Sequence, residues 1–268
     1  MVIALCSDKG SPGTTTSALA LAAAWPDPPI VVEADPAGGD LGIRLHPGGN
    51  ALPEAPTILS LAAASRTDKE PTLAERHAQR LNPHVSVVPG ALRREQMAKV
   101  GDWSLVADAL GRTQVPVFAD LGQLHPASPV LPIAASAAVI VVVGRPDMNS
   151  VVRLRDRLAH LGSDLGTVRG TPPKLYALLV STARHGAAHA DDLFALLADT
   201  AAKPFVVGVG HLAMDGGAVR GLECGDDPSG RLARTSLMRS ARTVVGDLQV
   251  VIEASTAVAR RSAVGRVR

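Results

Sequence analysis

The chain alternates short, unbroken apolar runs with longer stretches in which apolar residues recur three or four positions apart. Val2-Ile-Ala-Leu-Cys6 is the first run and predicts a buried strand. A Gly/Pro/Thr loop follows from Ser7 to Thr14. Thr15–Trp25, rich in Ala and Leu, predicts a helix, which Pro26, Pro28 and Pro29 end. Ile30-Val-Val-Glu33 predicts a second strand that runs into the turn Asp35-Pro-Ala-Gly-Gly-Asp40. Strand, loop, helix, strand is one βαβ unit, so these two strands are expected to be parallel. Further strands are expected at Val85–Val88, Val115–Asp120, Ala137–Val143, Leu175–Val180 and Phe205–Val209. Helices are expected at Ile58–Ser65, Leu73–Leu81, Trp103–Leu110, Asn149–Leu161, Ala190–Leu197 and Leu232–Val245. In the fourth of these, Val152, Leu154, Leu158 and Leu161 form an apolar stripe with Arg on the other face. Asp191 and Asp192 are placed in the first turn of the fifth, where the helix dipole favours acids. Residues 41–101 are the least regular, with a Gly/Pro-rich loop from Pro47 to Pro56. Strands alternating with helices throughout predict the α/β class: a doubly wound, mostly parallel sheet flanked by helices, in a single domain over residues 1–268.

Composition supports buried parallel strands. Hydrophobic residues make up 46% of the chain and aromatics only 2%, so Ala, Val, Leu and Ile must fill the core. Scarce aromatics argue against single-stranded nucleic-acid binding by base stacking. The net charge of +2 is uneven: from Ser229 onward eight Arg face only Asp247 and Glu253, a local +6 that leaves −4 for the rest. This arginine-rich helix and tail is either a solvated face or a surface for an acidic partner. Cys6 and Cys224 have no metal or redox spacing. No secretory signal pattern opens the chain, and Leu131–Gly144 is apolar but too short to span a membrane. A cytoplasmic protein is expected.

The first loop carries the chemistry. It reads Ser7-Asp8-Lys9-Gly10-Ser11-Pro12-Gly13-Thr14-Thr15-Thr16, after a strand and into a helix. Gly10 and Gly13 free the backbone to wrap a phosphate, and successive N–H groups at a helix start supply partial positive charge. Thr15 would present a hydroxyl to Mg²⁺. By the strict pattern of Gly, four residues, Gly, Lys and Ser/Thr, Thr14 stands where the lysine belongs. The scattered histidines offer only the loose pair His185 and His189, which lacks a third ligand and reads as surface loop.

Lys9, immediately before Gly10, makes the loop resemble the deviant P-loop of the ParA/MinD family, Lys-Gly-Gly-x-Gly-Lys-Thr-Thr. The match holds at Lys9, Gly10, Gly13, Thr15 and Thr16, and departs at Ser11 and Thr14. Glu33-Ala-Asp35-Pro36 resembles the family's second motif, and Val117-Phe-Ala-Asp120 its Walker B strand. The resemblance implies ATP or ADP with Mg²⁺ bound at Lys9–Thr16, with metal ligation from Thr15, Asp35 and Asp120. It implies catalytic roles for Lys9, acting across a homodimer, and for Asp35. It places base-reading residues near Ser181 and Gly208–His211. Two functions follow: an ATP-dependent dimeric switch in partitioning or intracellular positioning, or a non-hydrolysing localisation scaffold for a pilus or secretion apparatus. The first suits non-specific DNA bound by Arg231, Arg234, Arg239, Arg242, Arg260, Arg261, Arg266 and Arg268; the second suits a motor or secretion ATPase as partner. A membrane surface has thin support, because Gly246 interrupts the apolar residues of Val244–Ile252. Loss of the lysine at Thr14 points to weak or absent hydrolysis, unless another basic residue such as Arg93 or Arg94 replaces its charge.

Overall fold

A computed structural model describes residues 1–9 and 12–265, with side chains through residue 254. Gly10, Ser11, Arg266 and Arg268 lie outside the described residues, as do the side chains of Arg260 and Arg261. Eight strands form one sheet: β1 (Val2–Ser7), β2 (Ile30–Glu33), β3 (Gln79–Arg80), β4 (Ser86–Val88), β5 (Val117–Gln123), β6 (Val139–Gly144), β7 (Leu175–Ser181) and β8 (Val206–Ala213). Their order is β3-β4-β2-β5-β1-β6-β7-β8. All pairs are parallel except β3 with β4. β1 and β2 are parallel as expected, but β5 lies between them.

The helices of the first half are α1 (Thr14–Ala24), α2 (Leu41–Arg44), α3 (Ile58–Ala64), α4 (Leu73–Arg76), α5 (Arg94–Met97) and α6 (Trp103–Arg112). Those of the second are α7 (Leu131–Ser136), α8 (Met148–Arg169), α9 (Gly186–Leu197), α10 (Gly216–Glu223) and α11 (Ser236–Gly265). They cover both faces of the sheet. Along β1, Val2, Ala4 and Cys6 join the core built with α3, α6, α7, α8 and α9, while Ile3 and Leu5 join the core built with α1, α10 and α11. Burial on both faces is why the strand reads as a continuous apolar run.

Several expectations are corrected. The helix expected over Leu73–Leu81 stops at Arg76, and Gln79–Arg80 instead pairs as a short antiparallel strand. The helix expected from Ala190 begins at Gly186, so Asp191 and Asp192 fall past its first turn. His185 is its N-cap and His189 lies within it, so the pair is not a surface loop. The helix expected over Leu232–Val245 starts at Ser236 and runs to Gly265. No described helix is long and apolar enough to cross a membrane.

Candidate functional site

β1, β5 and β2 end side by side, and α1 opens at Thr14, with Gly13 as its N-cap. Doubly wound sheets place ligands in such a crevice beyond the carboxyl ends of the strands. Gly13 is the N-cap of α1 with φ 103°, a left-handed conformation open to glycine and strained for L side chains. No side chain caps this helix. Its first N–H groups are left without intrahelical partners, and with the helix dipole they make a cradle for an anion.

Beside the cradle lies a cavity of about 490 Å³ lined by Gly13–Thr16, Asp35, Asp120, Arg44 and Arg94, among others. Asp120 sits level with Glu33 on β2 and Leu5 on β1. The Thr15 hydroxyl donates to Asp120 Oδ2 at 2.5 Å, and the Gly122 amide donates to Oδ1 at 3.0 Å. Burial pushes the Asp120 carboxyl up to about 6 against these two donors. Asp35 accepts from the Ala37 amide at 2.8 Å and presses against Gly122. Its pKa is raised, chiefly by burial, with the Ala37 hydrogen bond and the Arg94 charge pulling it back. The structure thus brings Thr15, Asp35 and Asp120 to one cavity, with Thr14 buried beside them.

Glu33 does not line this cavity. Its carboxylate accepts from the amides of Asp40, Leu41 and Gly90 and fastens the turn after β2 to the segment after β4. Burial pushes its pKa up to about 7, partly offset by those amides.

Lys9 is exposed and lines a separate depression of about 240 Å³ with Arg145 and Arg153. Its neighbour Asp8 is tied to α8 by Arg157, whose Nε donates to Asp8 Oδ1 at 2.9 Å within an ion pair that brings Nη2 to 2.8 Å.

On the far side of Gly13, a third cavity of about 250 Å³ opens beside α1, walled by Val180, Leu212, Met214, Val219 and Leu237. The Ser17 hydroxyl lines it, buried and without a hydrogen-bond partner. This cavity, adjoining the cradle, has mostly apolar walls with a few polar groups, Thr16, Ser17, Arg145 and Asp215, a lining that suits a planar heterocycle. It meets β8 at Leu212 and Ala213, beyond the expected Gly208–His211, because β8 runs on to Ala213. His211 instead packs against Gly186 and feels the charge of His189.

Two arginines at the site carry no local signature. Arg44 donates to Glu223 at 2.7 Å, Asp40 at 3.1 Å and Thr16 Oγ1 at 3.2 Å, joining α2, α10 and α1. Arg94 opens α5.

The donor set fits a magnesium nucleotide: an uncapped helix start for phosphate, a hydroxyl with two carboxylates for a hard cation, and a mostly apolar slot for a base. Among the described residues, no group of three or more His, Cys, Asp or Glu could hold a metal unaided. That suits Mg²⁺, which is commonly held by one or two carboxylates together with phosphate and water.

Sheet order, the loop opening α1 and the acids at the strand ends define the P-loop architecture of the ParA/MinD ATPases, and that is the fold of this chain. The ParA family ATPase of Chlorobium tepidum superposes with a TM-score of 0.67 at 17% identity, over 91% of this chain and 96% of that one. The cell division ATPase MinD of Pyrococcus furiosus gives 0.67 at 15% identity, over 93% and 98%. The septum site-determining protein MinD of Pyrococcus horikoshii, solved with Mg-ADP, gives 0.63 at 15% identity, over 92% and 95%. No protein-family model matches the sequence. No curated protein matches it.

Proposed function

We propose that this protein is a ParA/MinD-like nucleotide switch that binds ATP, or ADP, with Mg²⁺ and works as a homodimer. The uncapped N-terminus of α1, set against Thr15, Asp35 and Asp120 in one cavity, carries this reading. The amides of Gly13–Thr16 hold phosphate. Thr15, Asp35 and Asp120 would hold Mg²⁺. Asp35 orients the water that faces the terminal phosphate. When bound, Mg²⁺ neutralises phosphate charge and fixes phosphate orientation. Lys9 lines a separate depression and not the cavity with Asp35 and Asp120, which supports a role on a nucleotide held by a second copy.

Thr14, buried where a phosphate-binding lysine belongs, favours a second reading, in which the dimer is a non-hydrolysing scaffold that recruits a motor or secretion ATPase. Both readings share the nucleotide site and differ in turnover. The exposed Arg231, Arg234, Arg239 and Arg242 suit non-specific DNA as the surface of the first.

Light scattering on a sizing column tests the shared claim. Mg·ATP is expected to convert wild-type monomer to dimer, while Lys9→Ala stays monomeric and still binds nucleotide. A Lys9→Ala variant that dimerises like wild type would contradict it.

A further inference from the structure

A triphosphate site needs a cation beyond its metal, because negative charge is concentrated on the terminal phosphate. Thr14 supplies none. Several basic residues line the cavities around the loop, and of these Arg145 lines the base cavity and the depression that holds Lys9 and Arg153, not the cavity that holds Asp35 and Asp120. Lys9 lines the separate depression on the α8 side. Arg44 lines the phosphate cavity but is already held by two carboxylates, Glu223 at 2.7 Å and Asp40 at 3.1 Å. Arg94 also lines the cavity, and its guanidinium has no hydrogen bond or ion pair with any described residue.

Position separates Arg94 further. The cavity suited to a base touches the loop at Gly13 and Thr16 and does not include Arg94. Arg94 lies toward Asp35 instead, and its charge lowers the Asp35 pKa against the effect of burial. Arg94 thus shares its cavity with Asp35, the residue that the proposed function sets toward the terminal phosphate. Its backbone is anchored there. The Gly39 amide donates to Ala91 O at 2.8 Å, the Gly90 amide to Glu33 Oε2 at 2.9 Å, and the Arg93 amide to Gln96 Oε1 at 3.1 Å. The first two bonds fasten the approach to α5 onto β2 and the turn that follows it, and the third caps α5. Arg93, the N-cap of α5, does not line the cavity.

We propose that Arg94 is the phosphate-facing cation of this site, serving the terminal phosphate of a nucleoside triphosphate from the Asp35 side in place of the lysine that Thr14 displaces. This rests on the nucleotide reading above and deepens it, making the site selective for triphosphate over diphosphate. Guanidinium suits the role, since its planar fork pairs two phosphate oxygens at once.

Calorimetric titration of Mg·ATP and Mg·ADP into wild type, Arg94→Gln, Arg94→Glu and the pair Arg94→Gln/Thr14→Lys tests this, with thermal midpoints measured alongside. Arg94→Gln is expected to weaken Mg·ATP by about tenfold or more and Mg·ADP by less than about threefold. Arg94→Glu is expected to reverse the preference. Restoring a cation with Thr14→Lys is expected to recover most of the lost Mg·ATP affinity. Arg94 is exposed, so midpoints close to wild type are expected. Arg94→Gln or Arg94→Glu binding Mg·ATP as wild type does, or losing both nucleotides equally, overturns the proposal and leaves the nucleotide site standing. Wild type that binds neither nucleotide overturns both.

Discussion

Asp120 is buried between β1 and β2, and its carboxyl is pushed up to about 6. The folded protein therefore holds the Asp120 proton more tightly than the unfolded chain does. The sign follows from linkage: this group contributes most to stability below its unfolded value near 3.8, and the contribution is lost as pH rises through about 6. Metal binding runs the other way, because Mg²⁺ needs the carboxylate. Affinity for Mg·ATP is expected to fall as pH drops below about 6. Asp120→Asn removes the buried charge and the metal partner together. At pH 8 it is expected to unfold no more easily than wild type, gaining at most about 3 kcal/mol, while Mg·ATP binding weakens at least tenfold. Denaturation and calorimetry at the same pH check both halves. An Asn variant that lost stability at pH 8 without losing nucleotide would contradict the assignment.

At the scale of elements, the site depends on how closely the end of β5 approaches the turn after β2. Gly122 has φ +60°, and a Cβ built there would lie 2.0 Å from Asp35 Oδ2. Gly122→Ala is expected to cost about 1–3 kcal/mol and to displace Asp35. Gly111, inside α6, has open space around the same position, so Gly111→Ala is expected to stabilise by about 0.5–1 kcal/mol. Chemical denaturation of the pair separates a local requirement from a general intolerance of alanine. The elements that build the site were legible in the sequence because double-sided burial writes itself as an apolar run, as in Val2–Cys6 and Val117–Ala119. Others left no such mark. β3 has only Gln79 and Arg80 and exists because β4 is beside it. α10 opens on two glycines and is set by Asp215 accepting from the Ala218 amide, a cap that shows only once the chain is folded.

At the scale of the whole molecule, the sheet order puts β5 between β1 and β2 and so joins the loop, Asp35 and Asp120. The resemblance of those motifs to the ParA/MinD pattern already implied that the loop, Asp35 and Asp120 share a site, while the place of β5 between β1 and β2 shows only in the folded sheet. The arginines were harder to read. Arg93 and Arg94 were both open as replacements for the missing lysine, and only the folded turn after β2 separates them. Arg44 meets Glu223 across 179 positions of sequence, which no local pattern predicts. The same fold recurs in the solved ATPases at 17% identity or less, so the site must be tested on this chain's own residues. The most direct test is calorimetric titration of Mg·ATP into the purified wild-type protein. Saturable binding of one nucleotide per chain, abolished by leaving out Mg²⁺ or by Thr15→Ala, is the expected result. No saturable heat up to millimolar Mg·ATP would contradict the account and leave the loop at Lys9–Thr16 a strand-to-helix connection.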